Sequence, residues 1–226
     1  MNKKQPRELK YPEDFINKVI CGDCLEVMKY IPDRSIDLIV TDPPYGIAYQ
    51  KKNKPAMIGD YGNVLGLVLP EFYRVLKDKG AIYIFTSFKM LSDWLYRFQS
   101  FFKMHNLLIW DKKKNSGLQM GSNYGFRYEM IFYGSKGLHK LNDYADDIFQ
   151  IDRVKKRTHP TEKPVELLKI FIEMSSKENE IVLDPFAGTG STLIACKFLK
   201  RNFIGIEINP EYCKIAEQRL KQKLLL

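Results

Sequence analysis

The chain has 226 residues, 45% of them hydrophobic and 28% charged, which is enough for a full core without disulfides and excludes a disordered or fibrous chain. Lysine and arginine outnumber aspartate and glutamate by 36 to 27, a net charge of +9, which fits a polyanionic partner as readily as a lysine-rich surface. No stretch approaches the ~18 apolar residues of a membrane span, and charged residues rather than an apolar run follow the basic residues 1–7, so a cytoplasmic protein without a secretory signal is expected.

A polar lead-in over 1–17 precedes a short strand at 19–21 and a short helix at 25–30. The apolar, β-branched run 36–40 reads as a buried strand. It stops at Asp42-Pro43-Pro44-Tyr45, because two prolines cannot continue a central ladder. A long polar loop over 46–62 follows. Helical spacing returns at 63–76, with Gly80 ending that unit, and a strand is predicted at 81–85. A helix at 90–101 and a strand at 107–110 come next. The polar, glycine-containing stretch 111–125 reads as a loop, and 128–133 as a strand. Residues 134–163 read as irregular. Pro164 marks the first turn of a helix, which leads to a strand at 181–184. A tight turn at 188–190 opens a helix over 191–200. A strand at 203–206 ends at Glu207, and a last helix covers 210–220. This alternation predicts a doubly wound, mostly parallel α/β sheet in a single domain, 1–226. Residues 111–160 form a short insertion-like region within it.

Cys21-Gly22-Asp23-Cys24 is the one close cysteine pair; Cys196 and Cys213 are far from it and from each other. Without a second pair there is no zinc pattern. The motif reads as small residues at a strand-to-helix turn, with a redox pair as the alternative. The three histidines, His105, His139 and His159, are scattered, so no metal is expected.

Two constellations carry chemistry. The first is Asp184-Pro185-Phe186-Ala187-Gly188-Thr189-Gly190, continued by Ser191. Its glycines let a ligand approach the backbone, and the helix that follows offers unpaired N–H groups. Glu207 follows Gly188 by 19 residues, where a carboxylate can accept the ribose hydroxyls of an adenosine-type cofactor. A nicotinamide cofactor would favour a third glycine, where this chain has Leu193. It would also be repelled by Asp184, whereas a cofactor carrying an ammonium group, such as S-adenosylmethionine (AdoMet), would be attracted. The second constellation is Asp42-Pro43-Pro44-Tyr45. Asp42 and the Pro43 carbonyl can each accept one N–H of an amino group, and Tyr45 can stack on a planar base.

These motifs resemble those of the DNA amino-methyltransferases that act on adenine N6 or cytosine N4. Asp42-Pro43-Pro44-Tyr45 is similar to the family's catalytic motif, and the segment 184–190 to its cofactor motif. His159-Pro160-Thr161-Glu162-Lys163-Pro164 resembles a third motif, and Gly22-Asp23 the position that contacts the cofactor's adenine. The catalytic motif precedes the cofactor motif, the permuted order of the β class. The resemblance implies a Rossmann-like AdoMet fold and double-stranded DNA as partner. It implies cofactor contacts from Asp23, Cys24, Asp42, Thr161, Lys163, residues 184–191 and Glu207.

The target base would be flipped out of the duplex and its amino group oriented by Asp42 and Pro43 for in-line transfer. The Asp-first motif implies adenine-N6, with cytosine-N4 as the alternative; a carbon-5 enzyme would need a Pro-Cys pair, which is absent. Residues 111–160 stand where the family's target recognition falls. There, Lys112, Lys113, Lys114, Arg127, Lys155, Lys156 and Arg157 are candidates to track phosphates. That stretch is short, so a homodimer or a separate specificity partner is expected. More remote readings are a nicotinamide oxidoreductase and a non-catalytic nucleic-acid-binding subunit.

Overall fold

The computed structural model describes residues 9–45, 64–114, 124–154 and 162–222. In chain order the elements are β1 (Lys18–Cys21), α1 (Cys24–Met28), β2 (Ile36–Thr41), α2 (Val64–Val75), β3 (Leu76–Thr86), α3 (Leu91–Gln99) and β4 (Lys103–Asp111). Then follow β5 (Tyr128–Ser135), β6 (Ile148–Gln150), α4 (Val165–Ser175), β7 (Ile181–Asp184), α5 (Ser191–Phe198), β8 (Asn202–Glu207) and α6 (Pro210–Lys221).

Among the described residues, eight strands form one sheet in the order β1-β8-β7-β2-β3-β5-β4-β6. Of these, β5 alone runs antiparallel to its neighbours; the other pairings are parallel. This is the expected doubly wound α/β sheet. Both faces are covered, which is why the central strands are apolar throughout rather than alternating. On one face, Ile39, Ile82 and Ile84 pack with Met28, Leu69, Phe72, Trp94 and Phe98 of α1, α2 and α3. On the other, Leu38, Val40 and Val182 pack with Leu167, Phe171 and Leu193 of α4 and α5. Among the described residues, no helix is long and apolar enough to cross a membrane.

Three local expectations need correction. Gly80 does not end a helix: β3 begins at Leu76, directly after α2. The pairing of β2 with β3 jumps from Ile36–Leu76 to Leu38–Ala81. A Cβ at position 80 would lie 2.9 Å from the Asp37 carbonyl oxygen, so this glycine serves a close backbone approach at a bulge. The stretch 134–163 is not wholly irregular, since β6 lies in it as a three-residue edge strand. Pro164 occupies the N-cap position, one residue before α4, rather than the first helical turn.

The chain winds in opposite directions from β7 and from β2. From β7 it passes through α5 to β8 on one side; from β2 it passes through α2 to β3 on the other. Their carboxyl ends therefore flank the switch point of the sheet, where doubly wound folds bind ligands. The Thr41 hydroxyl donates to Asp184 Oδ1 at 2.9 Å and ties the two strand ends together. The expected loop over 46–62 lies outside the described residues.

Candidate active site

β2 delivers Asp42 to this crevice, and Pro43 and Pro44 stop the ladder there. Both oxygens of the Asp42 carboxylate are engaged. Oδ1 accepts from the Tyr45 hydroxyl at 2.5 Å, and Oδ2 accepts from Lys163 Nζ. The Tyr45 ring lies 5.6 Å from that of Trp94, tilted by 54°. Burial and the charge of Asp42 push the Tyr45 phenol well above its usual range. Tyr45 is thus a donor that braces Asp42, not a base.

Lys163, placed just before α4, touches more than Asp42. Its ammonium lies 3.2 Å from Glu129 Oε2 and 4.8 Å from the centre of the Phe85 ring. Burial opposes its charge, but Asp42 and Glu129 outweigh burial and hold the ammonium above its ordinary range. Glu129 Oε1 in turn accepts from Lys112 Nζ at 3.0 Å. The expectation that Lys112 faces phosphates is thereby corrected: it is only 7% exposed, with its ammonium turned in toward Glu129.

Across the crevice, Asp184 is 4% exposed. Its Oδ1 accepts from Thr41 and, at 3.2 Å, from the Phe186 N–H, and the Thr192 side chain also bonds it. Burial still pushes its carboxyl up to about 6. These bonds brace the turn and leave Asp184 more enclosed than the other acid of the crevice. Asp42, with a side chain 21% exposed, is the more accessible acid of the pair.

Gly188 and Gly190 both adopt positive φ, 52° and 84°. A Cβ at Gly188 would meet nothing within 4 Å, so the turn faces open space. Glu207 Oε2 accepts from the Gly188 N–H and Oε1 from the Asn209 N–H, each at 2.8 Å. A carboxylate has roughly four acceptor sites, so both oxygens keep capacity for hydroxyl donors. Arg219 of α6 clamps the turn from behind, donating to the Thr189 carbonyl and hydroxyl at 2.8 and 3.0 Å. It also pairs with Glu162 at 2.8 Å. Leu193 stands at the position of the third glycine in a nicotinamide-binding turn; the close helix–strand approach falls instead on Gly205, where a Cβ would lie 2.5 Å from Leu193 Cδ1.

At the neighbouring edge of the sheet, Asp23 caps α1 by accepting from the Leu25 N–H, and the Gly22 N–H donates to the Glu207 carbonyl. The side chain of Cys24 is buried in the core. Burial pushes its thiol up to about 12, and Cys21 and Cys24 are both free thiols. Lys113, Lys114 and Arg127 are exposed; Arg127 pairs with Asp111 at 2.6 Å and Lys113 with Asp152 at 3.9 Å. Thr161, Lys155, Lys156, Arg157 and His159 lie outside the described residues.

An adenosine cofactor with an ammonium group fits these residues. The open glycine turn and the helix N-terminus behind it supply donors, and the spare acceptor capacity of Glu207 and the accessible Asp42 supply acceptors, which together complement such a cofactor. Sequence reasoning missed Glu129, Arg219, Trp94 and Phe85. For Glu129 a signal existed: it is the one charge within the apolar run Tyr128–Ser135.

The chain matches the DNA methylase family of N6/N4 methyltransferases over residues 36–218. It is 33% identical to the type II methyltransferase M.HinfI of Haemophilus influenzae, over 92% of this chain and 69% of the relative. It is also 33% identical to the DNA adenine methyltransferase YhdJ of Escherichia coli K12, over 89% and 82%. Among solved structures it resembles the M1.HpyAVI–SAM complex, with a TM-score of 0.72 and 27% identity, covering 89% of this chain and 98% of that one. A crevice at the switch point, a glycine turn with its spaced acid, and an Asp-Pro-Pro-Tyr strand end thus coincide with a match over most of the length: the chain belongs to the N6/N4 DNA methylase family.

Proposed function

We propose that this protein transfers the methyl group of AdoMet, the cofactor of its family, to the exocyclic N6 amino group of a flipped-out adenine in double-stranded DNA. The observation that carries the reading is the joining of the two motif-bearing strand ends, with the Thr41–Asp184 bond between them. That bond sets the Asp42 carboxylate and the glycine turn side by side. Bound there, AdoMet supplies an electrophilic sulfonium methyl.

The chain's own residues do the positioning. Glu207 accepts ribose hydroxyls, and the backbone of residues 187–191 meets the polar end of the cofactor. Asp42 and the Pro43 carbonyl accept the two amino hydrogens of the base, which turns the nitrogen lone pair toward the methyl group. Catalysis here is orientation plus electrostatics. Lys113, Lys114 and Arg127 contact the backbone phosphates. Because residues 111–160 are few and contribute β5 and β6 to the sheet, a second copy or a specificity partner completes the contact with an extended site.

Adenine rather than cytosine is favoured by the Asp-first motif and by the 33% identity to a DNA adenine methyltransferase. The test uses tritiated AdoMet, unmethylated mixed-sequence duplex DNA, and wild type beside Asp42→Ala. Label is expected in N6-methyladenine, with a loss of about 10²–10³-fold in the variant, the scale of removing one electrostatic contact to the reacting group. Label in N4-methylcytosine would overturn the base assignment, and failure to bind AdoMet would overturn the reading itself.

A further inference from the structure

Four charged side chains run from the crevice into the protein with alternating sign: Asp42, Lys163, Glu129 and Lys112. Lys163 bonds Asp42, Glu129 lies 3.2 Å from Lys163 and 3.0 Å from Lys112, and each lysine side chain is only 8% exposed. Buried ammonium groups persist only when paired, and this set sums to zero. The four residues come from four separate segments: the end of β2, the approach to α4, the start of β5 and the residue after β4.

Of the four, Asp42 is the one argued above to meet the substrate. It stands just before two prolines, which offer no N–H to fix its carboxylate. Its orientation therefore depends on its side-chain partners, Tyr45 and Lys163. Lysine is a long, flexible side chain with a point charge at its tip, so Lys163 needs an anchor of its own. Glu129 supplies it, and Lys112 balances the charge of Glu129.

We propose that Glu129 is a positioning residue for methyl transfer. It pins Lys163 against Asp42 and so holds the Asp42 carboxylate at the angle at which it receives the target amino group. The proposal rests on the reading of Asp42 given above. In keeping with it, burial opposes ionisation of Glu129, but Lys163 and Lys112 outweigh burial and hold the carboxyl below its usual range.

The test compares wild type, Glu129→Gln, and the double variant Glu129→Gln/Lys112→Met, which restores charge balance. In Glu129→Gln, kcat with mixed-sequence duplex should fall by between about tenfold and a hundredfold, the scale of a small misplacement of a reacting group. The Kd for AdoMet, measured by calorimetry, should weaken less than kcat falls, because the glycine turn and Glu207 are left in place while only the Asp42 contact is disturbed. The double variant should regain the wild-type melting temperature but not kcat. An unchanged kcat in Glu129→Gln overturns the proposal. So does recovery of both rate and stability in the double variant, which would make Glu129 a mere counter-charge for Lys112. A fall in AdoMet affinity as large as the fall in kcat also overturns it.

A crystal structure of Glu129→Gln adds a readout free of turnover. Lys163 displaced and Asp42 turned supports the proposal, whereas Lys163 unmoved on Asp42 sinks it. If wild type methylates none of the DNA, the proposed function fails, and the crystal structure alone decides the role of Glu129.

Discussion

Asp42 and Asp184 end neighbouring strands, yet their surroundings assign them different work. Asp184 is sealed at 4% exposure, and burial lifts its carboxyl from 3.8 to about 6. Below about pH 4 it is protonated in both folded and unfolded chains. Between pH 4 and 6 the unfolded chain ionises first, so stability on the order of 2–3 kcal/mol is lost as pH rises through that window. Above pH 6 the loss is complete and constant. Asp184→Asn keeps a carbonyl acceptor for Thr41 and the Phe186 N–H but has no proton to lose. The melting temperature of this variant, relative to wild type, should therefore rise from pH 4 to pH 7; a difference independent of pH would mean that Asp184 titrates normally. Both acids were legible in the sequence, because each belongs to a motif of fixed composition at the end of an apolar run. Which one faces the crevice was not, since that depends on Thr41 and Thr192, whose hydroxyls carry no motif. Glu129 was visible as a lone charge in a strand, but its partners Lys163 and Lys112 are brought to it only by the folded sheet.

At the scale of elements, the cofactor turn depends on how closely α5 approaches β8. A Cβ at Gly205 would stand 2.5 Å from Leu193 Cδ1 and 3.3 Å from Ala187 Cβ, and Leu193 is fully buried. Gly205→Ala should cost about 1–3 kcal/mol by overpacking, which is a fall of about 3–10 °C in a domain of this size. Because Ala187 also bonds the Ile206 carbonyl through its N–H, the same variant should weaken AdoMet binding. Thermal unfolding and calorimetry check the two effects, and a variant as stable as wild type would show that Leu193 has room to move. The same packing explains why counting glycines in the turn was not enough: a close approach needs one small partner, and here the strand provides it. The start of α4, with its strong apolar period, and β7, a short continuous apolar run, were readable to within a residue. The start of β3 was not, because it follows α2 without a break and a bulge hides its first pairing. Nor was β6, whose three residues at the sheet edge carry no period.

Across the whole molecule, the sheet gathers its chemistry at one edge. β2 and β3 end there, β4 ends there, and antiparallel β5 begins there, since Thr41 pairs beside Ile84, Thr86 beside Met130 and Asp111 beside Tyr128. Lys113 and Lys114 follow β4 at this edge. Tyr124, Phe126 and Tyr128, which are 95%, 40% and 41% exposed, lead into β5. An excess of nine positive charges favours a polyanion generally, and with the base in the crevice beside Asp42 as proposed, the exposed cations at this edge are placed to track phosphates. Removing one phosphate-binding cation should reduce the slope of log affinity against log salt by about 0.9. Lys113→Ala and Lys114→Ala should therefore flatten the salt dependence of duplex binding, leaving the AdoMet affinity and the melting temperature close to wild type. Lys112→Ala should do the reverse: it leaves Glu129 short of a partner and lowers the melting temperature, with little change in the salt slope. Fluorescence anisotropy on a mixed-sequence duplex, over a salt range of roughly 50 to 200 mM, separates the two patterns. A slope altered by Lys112→Ala but not by its two neighbours would place the phosphate path on a different face of the protein.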